Sequence, residues 1–264
     1  MPDLERVLAV SPHLDDAAFS AGAVIAHLIL RGVDVHVFTF FAGLPRSGLS
    51  SIAQDFHRSC GLPDDASAVE HRRREDLAAI SALGAQPHYG DLPEALYRRQ
   101  VDGSWLCQHS RAIFDTRLAS EPELGQEMEA ALANLCDQLR PQLLLTCAGI
   151  GEHVDHRLTR TVTVGMAHTL DLRVRLWEDL PYGMKTPMGG QGAVATVASA
   201  AAWQRKWEAI GCYPTQTRML WSDDTNWQQL FQQHAAMRGS PGLAELFWDT
   251  TDGLLPVMGD HGGS

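Results

Sequence analysis

Positive charge is scarce in this sequence of 264 residues: 21 Lys and Arg stand against 32 Asp and Glu, a formal net charge of −11. A chain with that balance repels a phosphate backbone and an anionic membrane surface, so nucleic acid is not an expected partner. Cysteine is sparse as well. Cys60, Cys107, Cys136, Cys147 and Cys212 are odd in number, widely spaced and without a Cys-x-x-Cys pair, which excludes the disulfide framework of a small secreted fold and reads as reduced thiols of a cytoplasm. Long apolar runs are missing. The longest, Ala21 to Leu30, is broken by His27 and stops at Arg31-Gly32, well short of the roughly 20 residues of a membrane span. The start, Met1 to Arg6, carries acids where an export signal places basic residues, and the apolar run after it covers only Val7 to Val10. A cytoplasmic protein is expected. No G-x-G-x-x-G or P-loop follows the first apolar run, which disfavours nucleotide chemistry. Neither an internal repeat nor a low-complexity tract is present, and no shift in composition marks a second unit, so residues 1–264 read as one domain. At 45% apolar residues the chain has enough to bury a core.

The clearest pattern lies in the first forty residues. Arg6 to Val10 reads as a buried strand, Asp15 to Leu30 as a helix with an apolar face, and Val33 to Phe40 as a second strand. Such a unit predicts an α/β fold, Rossmann-like, with a mostly parallel sheet, helices on both faces and polar chemistry at the carboxyl ends of the strands. Residues 41–68 read as a long loop with a short helix near Ile52 to Ser59, and residues 90–124 as a second irregular stretch. Between them a helix over Ala68 to Leu83, closed by Gly84, leads to a strand at Gln86 to Tyr89. Gln126 to Arg140 is an amphipathic helix stopped by Pro141, followed by a strand at Gln142 to Cys147. A helix from Asp155 or His156 to Leu170 and a strand from Val174 to Trp177 come next. The Gly- and Ala-rich span Met188 to Ala200 fits a linker or a strand, helices are expected at Ala201 to Ile210 and Thr225 to Met237, and the tail is without pattern.

Two polar clusters stand at predicted strand ends: Ser11-Pro12-His13-Leu14-Asp15-Asp16 and Glu152-His153-Val154-Asp155-His156. In a parallel sheet those ends share one edge, so residues about 140 apart in sequence can converge there. His and Asp together suit zinc, which takes nitrogen and carboxylate ligands and keeps a position open for water in catalytic sites. Either cluster alone has an ordinary explanation, because Asp15, Asp16 or Asp155 would also cap the helix that follows. Two clusters of the same design weaken it. The other histidines lack such company, and the seven tryptophans read individually as core.

Val10 to Asp16 resembles the (P/A)HPDDE signature of the PIG-L/LmbE-like family of zinc-dependent N-acetylglucosaminyl deacetylases, and His153-Val154-Asp155-His156 resembles its HxDH partner motif. Further segments extend the likeness: Arg72 to Gly84, Trp177 to Tyr182 and Tyr213 to Gln216. Leu14 stands in place of the usual second proline and Ala17 in place of the usual glutamate; neither removes an expected ligand. The resemblance implies that His13, Asp16 and His156 bind zinc, iron or cobalt being possible substitutes, and that Asp15 is left as general base. His153 is then expected to hydrogen-bond the developing oxyanion and pass a proton to the leaving amine, with Asp155 as its orienter and the neighbour favouring its cation. It also places Arg72 and Asp91 at the substrate hydroxyls, although Arg72-Arg73-Arg74 beside Glu70, Glu75 and Asp76 equally fits a solvated, salt-bridged helix face. Glu178, Asp179 and Tyr182 either border the pocket or buttress it.

The implied partner is an N-acylated amino sugar. Phe40-Phe41-Ala42-Gly43 and the Trp177 to Tyr182 segment resemble members among bacterial secondary-metabolite enzymes, which deacetylate amino sugars on larger glycosides such as glycopeptide-antibiotic pseudoaglycones. The loops 41–68 and 90–124 are the expected seat of that selectivity. Two competing readings share the motifs: an amidase acting on a thiol-sugar conjugate or other larger amide, and a metal-stabilised sugar-binding module without turnover. Asp15 and His153 argue against the module, which needs no general base.

Overall fold

The computed structural model describes residues 4–116, 121–185, 192–221 and 225–250. In chain order its elements are β1 (Arg6–Ser11), α1 (Asp16–Leu30), β2 (Asp34–Thr39), α2 (Ser51–Cys60), α3 (Ser67–Leu83), β3 (Gln86–Tyr89), α4 (Pro122–Leu139), β4 (Leu143–Cys147), α5 (Val154–Thr169), β5 (Arg173–Trp177), β6 (Ala193–Val197), α6 (Ala200–Gly211), α7 (Pro214–Leu220), α8 (Trp227–Gly239) and β7 (Ala244–Asp249). One sheet carries all seven strands in the order β3-β2-β1-β4-β5-β7-β6. From β3 to β5 the pairing is parallel, and β7 and β6 close that edge antiparallel. The expected α/β, mostly parallel architecture is the one observed.

The central strands show why. Val7, Leu8, Ala9 and Val10 are fully buried, as a strand covered on both faces must be. Their side chains alternate between two cores: Val7 and Ala9 pack with α1, α3 and α6, whereas Leu8 and Val10 pack with α4 and α5. On β4, Leu143, Leu145 and Cys147 join the first core and Leu144 the second. Helix α1 lies between the sheet and α6, which explains why Asp16 through Ala26 are all buried and why its sequence is apolar on more than one face.

This layering positions the site. The chain leaves β1 into α1 on one face and leaves β4 into α5 on the other, yet β1 and β4 are hydrogen-bonded neighbours, with Val10 opposite Thr146. Their carboxyl ends therefore flank the crevice at which the winding of the sheet reverses.

Several boundaries differ from the sequence reading for local reasons. Helix α4 begins at Pro122, not Gln126, because proline fits the first helical turn, where its missing N–H is not needed. Helix α7 has only seven residues, too few for a helical period to register. Of the span 188–200, residues 188–191 lie outside the described part and 193–197 form a strand, β6. Strand β7 lies in the tail, where the sequence shows no pattern. Its Glu245 would be costly in a sheet interior, but Lys206 Nζ stands 2.5 Å from Oε1, and the Ala23 and Val24 amides donate to its two oxygens at 3.0 and 2.8 Å. No helix among the described residues is long and apolar enough to cross a membrane.

Candidate metal centre and active site

The carboxyl ends of β1 and β4 bring the two polar clusters together. His13 Nδ1, His156 Nε2 and Asp16 Oδ2 form a triangle with all three edges at 3.3 Å. Tetrahedral donors on zinc, with bonds of about 2.0–2.1 Å, stand about 3.3 Å apart. The far nitrogens of both histidines rest on carboxylates: His13 Nε2 lies 2.9 Å from Asp155 Oδ2, and His156 Nδ1 lies 2.7 Å from Asp179 Oδ1. A carboxylate behind each imidazole fixes the tautomer that turns a lone pair toward the triangle. Burial works against a charge on either ring, but the surrounding carboxylates outweigh it and push both up, His156 to about 9. The triangle therefore favours a positive charge at its centre, and its donor set fits a divalent ion.

Two other groupings of ligand atoms lie within 4.8 Å: His13, His153 and His156, and Cys147, His156 and Asp179. The second is excluded by its own bonding. Burial pushes the Cys147 thiol well above its usual range, its Sγ donates to the His156 carbonyl at 3.3 Å, and Asp179 is taken by the outer nitrogen of His156. In the first, His153 Nδ1 accepts the Asp155 amide at 3.2 Å, leaving Nε2 as the ring's N–H donor rather than a ligand.

Neither helix is capped by an aspartate side chain. The amide of Ala17 at the start of α1 is taken by Ser11 Oγ at 3.2 Å, and that hydroxyl donates in turn to the His13 carbonyl at 3.0 Å. Asp15, at the cap position of α1, makes no capping bond with its side chain and sits at a positive φ of 150°, a strained setting for a residue with a side chain. Helix α5 is capped by His153. The ordinary explanation of both clusters thus fails, and Asp15, Asp16 and Asp155 keep their carboxylates for the crevice.

Asp15, next in the chain to Asp16 of the triangle, is partly exposed. Burial and the adjacent Asp16 charge push its carboxyl well above the ordinary range, against the pull of Arg72 and His13. The ring of His153 stands edge-on to His13, with centroids 4.8 Å apart. Two features here differ from the sequence expectation. Burial and the charges of His13 and His156 hold His153 well below its usual pKa, outweighing Asp155, so its neutral form is favoured. The Asp155 carboxylate orients His13, not His153, and is itself held by the Ala95 amide at 2.9 Å and by Arg98 Nη1, 2.8 Å from Oδ1.

Arg72 is 3% exposed and paired with Glu94, so the reading of a solvated helix face does not hold for it, nor for buried Glu75 and Asp76. Its charge reaches Asp15. Asp91 is not drawn into this cluster. Its side chain is 90% exposed and stands 3.9 Å from Arg73, and the buried carboxylate on this stretch is Glu94, three residues on. Asp179 is a buttress, as is Glu178, which accepts His234 Nε2 at 2.8 Å and pairs with Arg238. Tyr182 borders the site, its ring 5.7 Å from His156 and 6.0 Å from Phe114, which in turn stands 5.7 Å from His153. The Phe41 ring lies 6.0 Å from that of His13. Glu94 and Arg98 escaped the sequence reading, and Ser11 was named in its cluster without its capping role. Only Ser11 had a local signal, a cap residue ahead of an apolar run.

Residues 8–167 match the family described as GlcNAc-PI de-N-acetylase, PIG-L. Over 206 residues the chain is 28% identical to a 1D-myo-inositol 2-acetamido-2-deoxy-alpha-D-glucopyranoside deacetylase of Mycolicibacterium vanbaalenii, covering 76% of this chain and 66% of that protein. It is 28% identical over 186 residues to the 2'-N-acetylparomamine deacetylase of Streptomyces fradiae, covering 67% of this chain and 57% of that one. The chain thus spans between about half and two thirds of the length of such curated relatives. Among solved structures it resembles the zinc-inhibited form of teicoplanin deacetylase Orf2, with a TM-score of 0.82 and 33% identity over 94% of this chain and 99% of that one. It also resembles the A40926 pseudoaglycone deacetylase Dbv21, with a TM-score of 0.76 and 32% identity over 94% and 97%. The matched segment contains both polar clusters and more than half of the sequence, and the chain belongs to the PIG-L, GlcNAc-PI de-N-acetylase family.

Proposed function

We propose that this protein is a zinc-dependent hydrolase that removes an N-acetyl group from an amino sugar carried on a larger glycoside of the glycopeptide type. The observation that carries the reading is the 3.3 Å triangle of His13, Asp16 and His156. The substrate class rests on the likeness to the teicoplanin and A40926 deacetylases along nearly the whole chain. One sheet running from Arg6 to Asp249 supports a single catalytic domain, and five free cysteines fit a reducing cytoplasm.

His13, Asp16 and His156 hold the ion, with Asp155 and Asp179 behind the two imidazoles. Bound there, zinc supplies Lewis acidity that polarises the acyl carbonyl and makes water a nucleophile at neutral pH. Asp15 takes the proton of the attacking water; its raised pKa makes it a stronger base than an ordinary carboxylate. The same proton then passes to the leaving nitrogen as the C–N bond breaks, releasing acetate and the free amine. Neutral His153 donates its Nε2–H to the oxygen on which negative charge develops. Arg72, buried and set against Glu94, supports Asp15 electrostatically and is the cation available to substrate hydroxyls. Phe41, Phe114 and Tyr182 wall the acyl position and limit water.

Elemental analysis after dialysis tests the reading, together with acetate release from N-acetylglucosaminyl glycopeptide pseudoaglycones. The wild type is expected to retain one zinc per chain and release acetate, and His156→Ala to lose both. A wild type that neither retains nor takes up zinc refutes it. Zinc retention with release of a bulkier acid and no acetate moves the protein to the larger-amide class.

A further inference from the structure

Behind the candidate ligand His13 and its carboxylate Asp155 lie Arg98 and Glu121, charged groups that the proposed reaction does not use. Arg98 is 7% exposed. Its Nε and Nη2 donate to the two oxygens of Glu121 at 2.9 and 2.7 Å, and Nη1 donates to the Pro93 carbonyl at 3.1 Å. The same Nη1 stands 2.8 Å from Asp155 Oδ1, while Asp155 Oδ2 receives the Ala95 amide and faces His13 Nε2, each at 2.9 Å. Glu121 immediately precedes α4, and Ala95 and Arg98 belong to the 90–124 stretch. One guanidinium thus ties the start of α4 and the loop to the fully buried carboxylate that orients a candidate metal ligand.

We propose that Arg98 is a positioning residue for the metal centre: by bridging Glu121 and Asp155 it couples the seating of the 90–124 stretch to the orientation of the His13 ring. This rests on the reading of His13, Asp16 and His156 as the metal site. Asp155 is buried completely, and a carboxylate there is stable only when paired. Arg98 Nη1 at Oδ1 and the Ala95 amide at Oδ2 supply that pairing from the 90–124 stretch. Held there, Asp155 Oδ2 fixes the His13 ring by its Nε2 edge, with Nδ1 turned toward Asp16 and His156. Without the guanidinium the Asp155 carboxylate loses its anchor at Oδ1 and is free to turn, and the His13 ring it faces turns with it, carrying Nδ1 off the triangle. The planar fork matters, because two carboxylates on different segments are held at once, which a lysine ammonium does less well.

The test is zinc affinity, measured by competition with a chromophoric chelator at pH 7, on wild type, Arg98→Met, Arg98→Lys, Asp155→Asn and the Arg98→Met/Asp155→Asn double variant. The visible spectrum of the cobalt-loaded proteins reports ligand geometry. Arg98→Met is expected to bind zinc about 10–100-fold more weakly with an altered cobalt spectrum, and Arg98→Lys to fall between it and wild type. In the Asp155→Asn background the Arg98 substitution is expected to add almost nothing, since its route is already cut. Zinc affinity and a cobalt spectrum unchanged in a folded Arg98→Met protein overturn the inference. Should Arg98→Met alone fail to fold, the Asp155→Asn pair decides, and a further tenfold loss in the double variant overturns the route through Asp155. A wild type that binds no zinc refutes the metal-site reading itself, and this inference with it.

Discussion

Asp76 provides the sharpest quantitative test of the buried polar framework. It lies on α3, 2% exposed, and accepts the hydroxyls of Tyr213 at 2.7 Å and Tyr89 at 2.9 Å. Burial raises its carboxyl from 3.8 to about 6, against the pull of both tyrosines and of Arg72. At 1.36 kcal/mol per pH unit, that difference is worth roughly 3 kcal/mol. The sign follows from proton linkage: between about pH 4 and 6 the folded chain holds a proton that the unfolded chain has released, so unfolding becomes easier as pH rises. The stability contributed by the neutral acid is complete below the unfolded pKa and gone above the folded one. Asp76→Asn keeps the volume and the acceptor for Tyr213, and its amide can donate to the Tyr89 oxygen, but it has no proton to lose. Urea unfolding of both proteins at unit steps from pH 4 to 8 gives the difference directly. Asp76→Asn is expected to gain on wild type by roughly 3 kcal/mol across that range, nearly all of it before pH 7. A difference flat to within about 0.5 kcal/mol refutes the reasoning, because it would place the Asp76 carboxyl at its unfolded value.

Other substitutions probe the site itself. Asp15→Asn is expected to retain zinc in elemental analysis while kcat falls by about 10²–10⁴-fold; near-normal turnover in the zinc-loaded variant would remove Asp15 as the base. Gly151 has φ +92° and a Cβ there would stand 2.7 Å from Tyr182 Cγ, so Gly151→Ala is expected to cost about 1–3 kcal/mol in thermal or urea unfolding and to raise KM by displacing the ring beside His156. Ser11→Ala removes the cap of α1 and the hydroxyl on the His13 carbonyl; a loss of about 1 kcal/mol is expected, with weakened zinc binding, and unchanged stability would show that the Ala17 amide finds another acceptor.

The clusters around His13 and His156 were legible because each combines a local motif with a predicted strand end, and the α/β class because β1, α1 and β2 are continuous and strongly patterned. The alternative that the aspartates merely cap helices was open in sequence and closed only by geometry: Ser11 and His153 make the caps, and no motif says which neighbour does so. The partner of the Asp155 carboxylate and the exposure of Asp91 were not legible for a related reason. Asp155 is two residues from His153 in the chain, but its carboxylate turns to His13, 142 positions away. Asp91 sits at a strand end as expected, while the buried carboxylate on that edge is Glu94.

What the sequence by itself determined was period and chemistry: apolar runs that must be buried on both faces, a βαβ opening that forces parallel pairing, and two groups of His and Asp at strand ends. These depend on neighbours within a few residues, which a linear pattern records. Only the tertiary structure decided which side chains share a charge. The adjacency of β1 and β4, the 3.3 Å triangle, the pairing of Arg98 with Asp155 and Glu121, and the burial of Arg72 and Lys206 on glutamates all join distant segments. A buried charge is tolerable only beside its partner, and that partner is set by how helices and strands pack, not by the order in which residues follow one another.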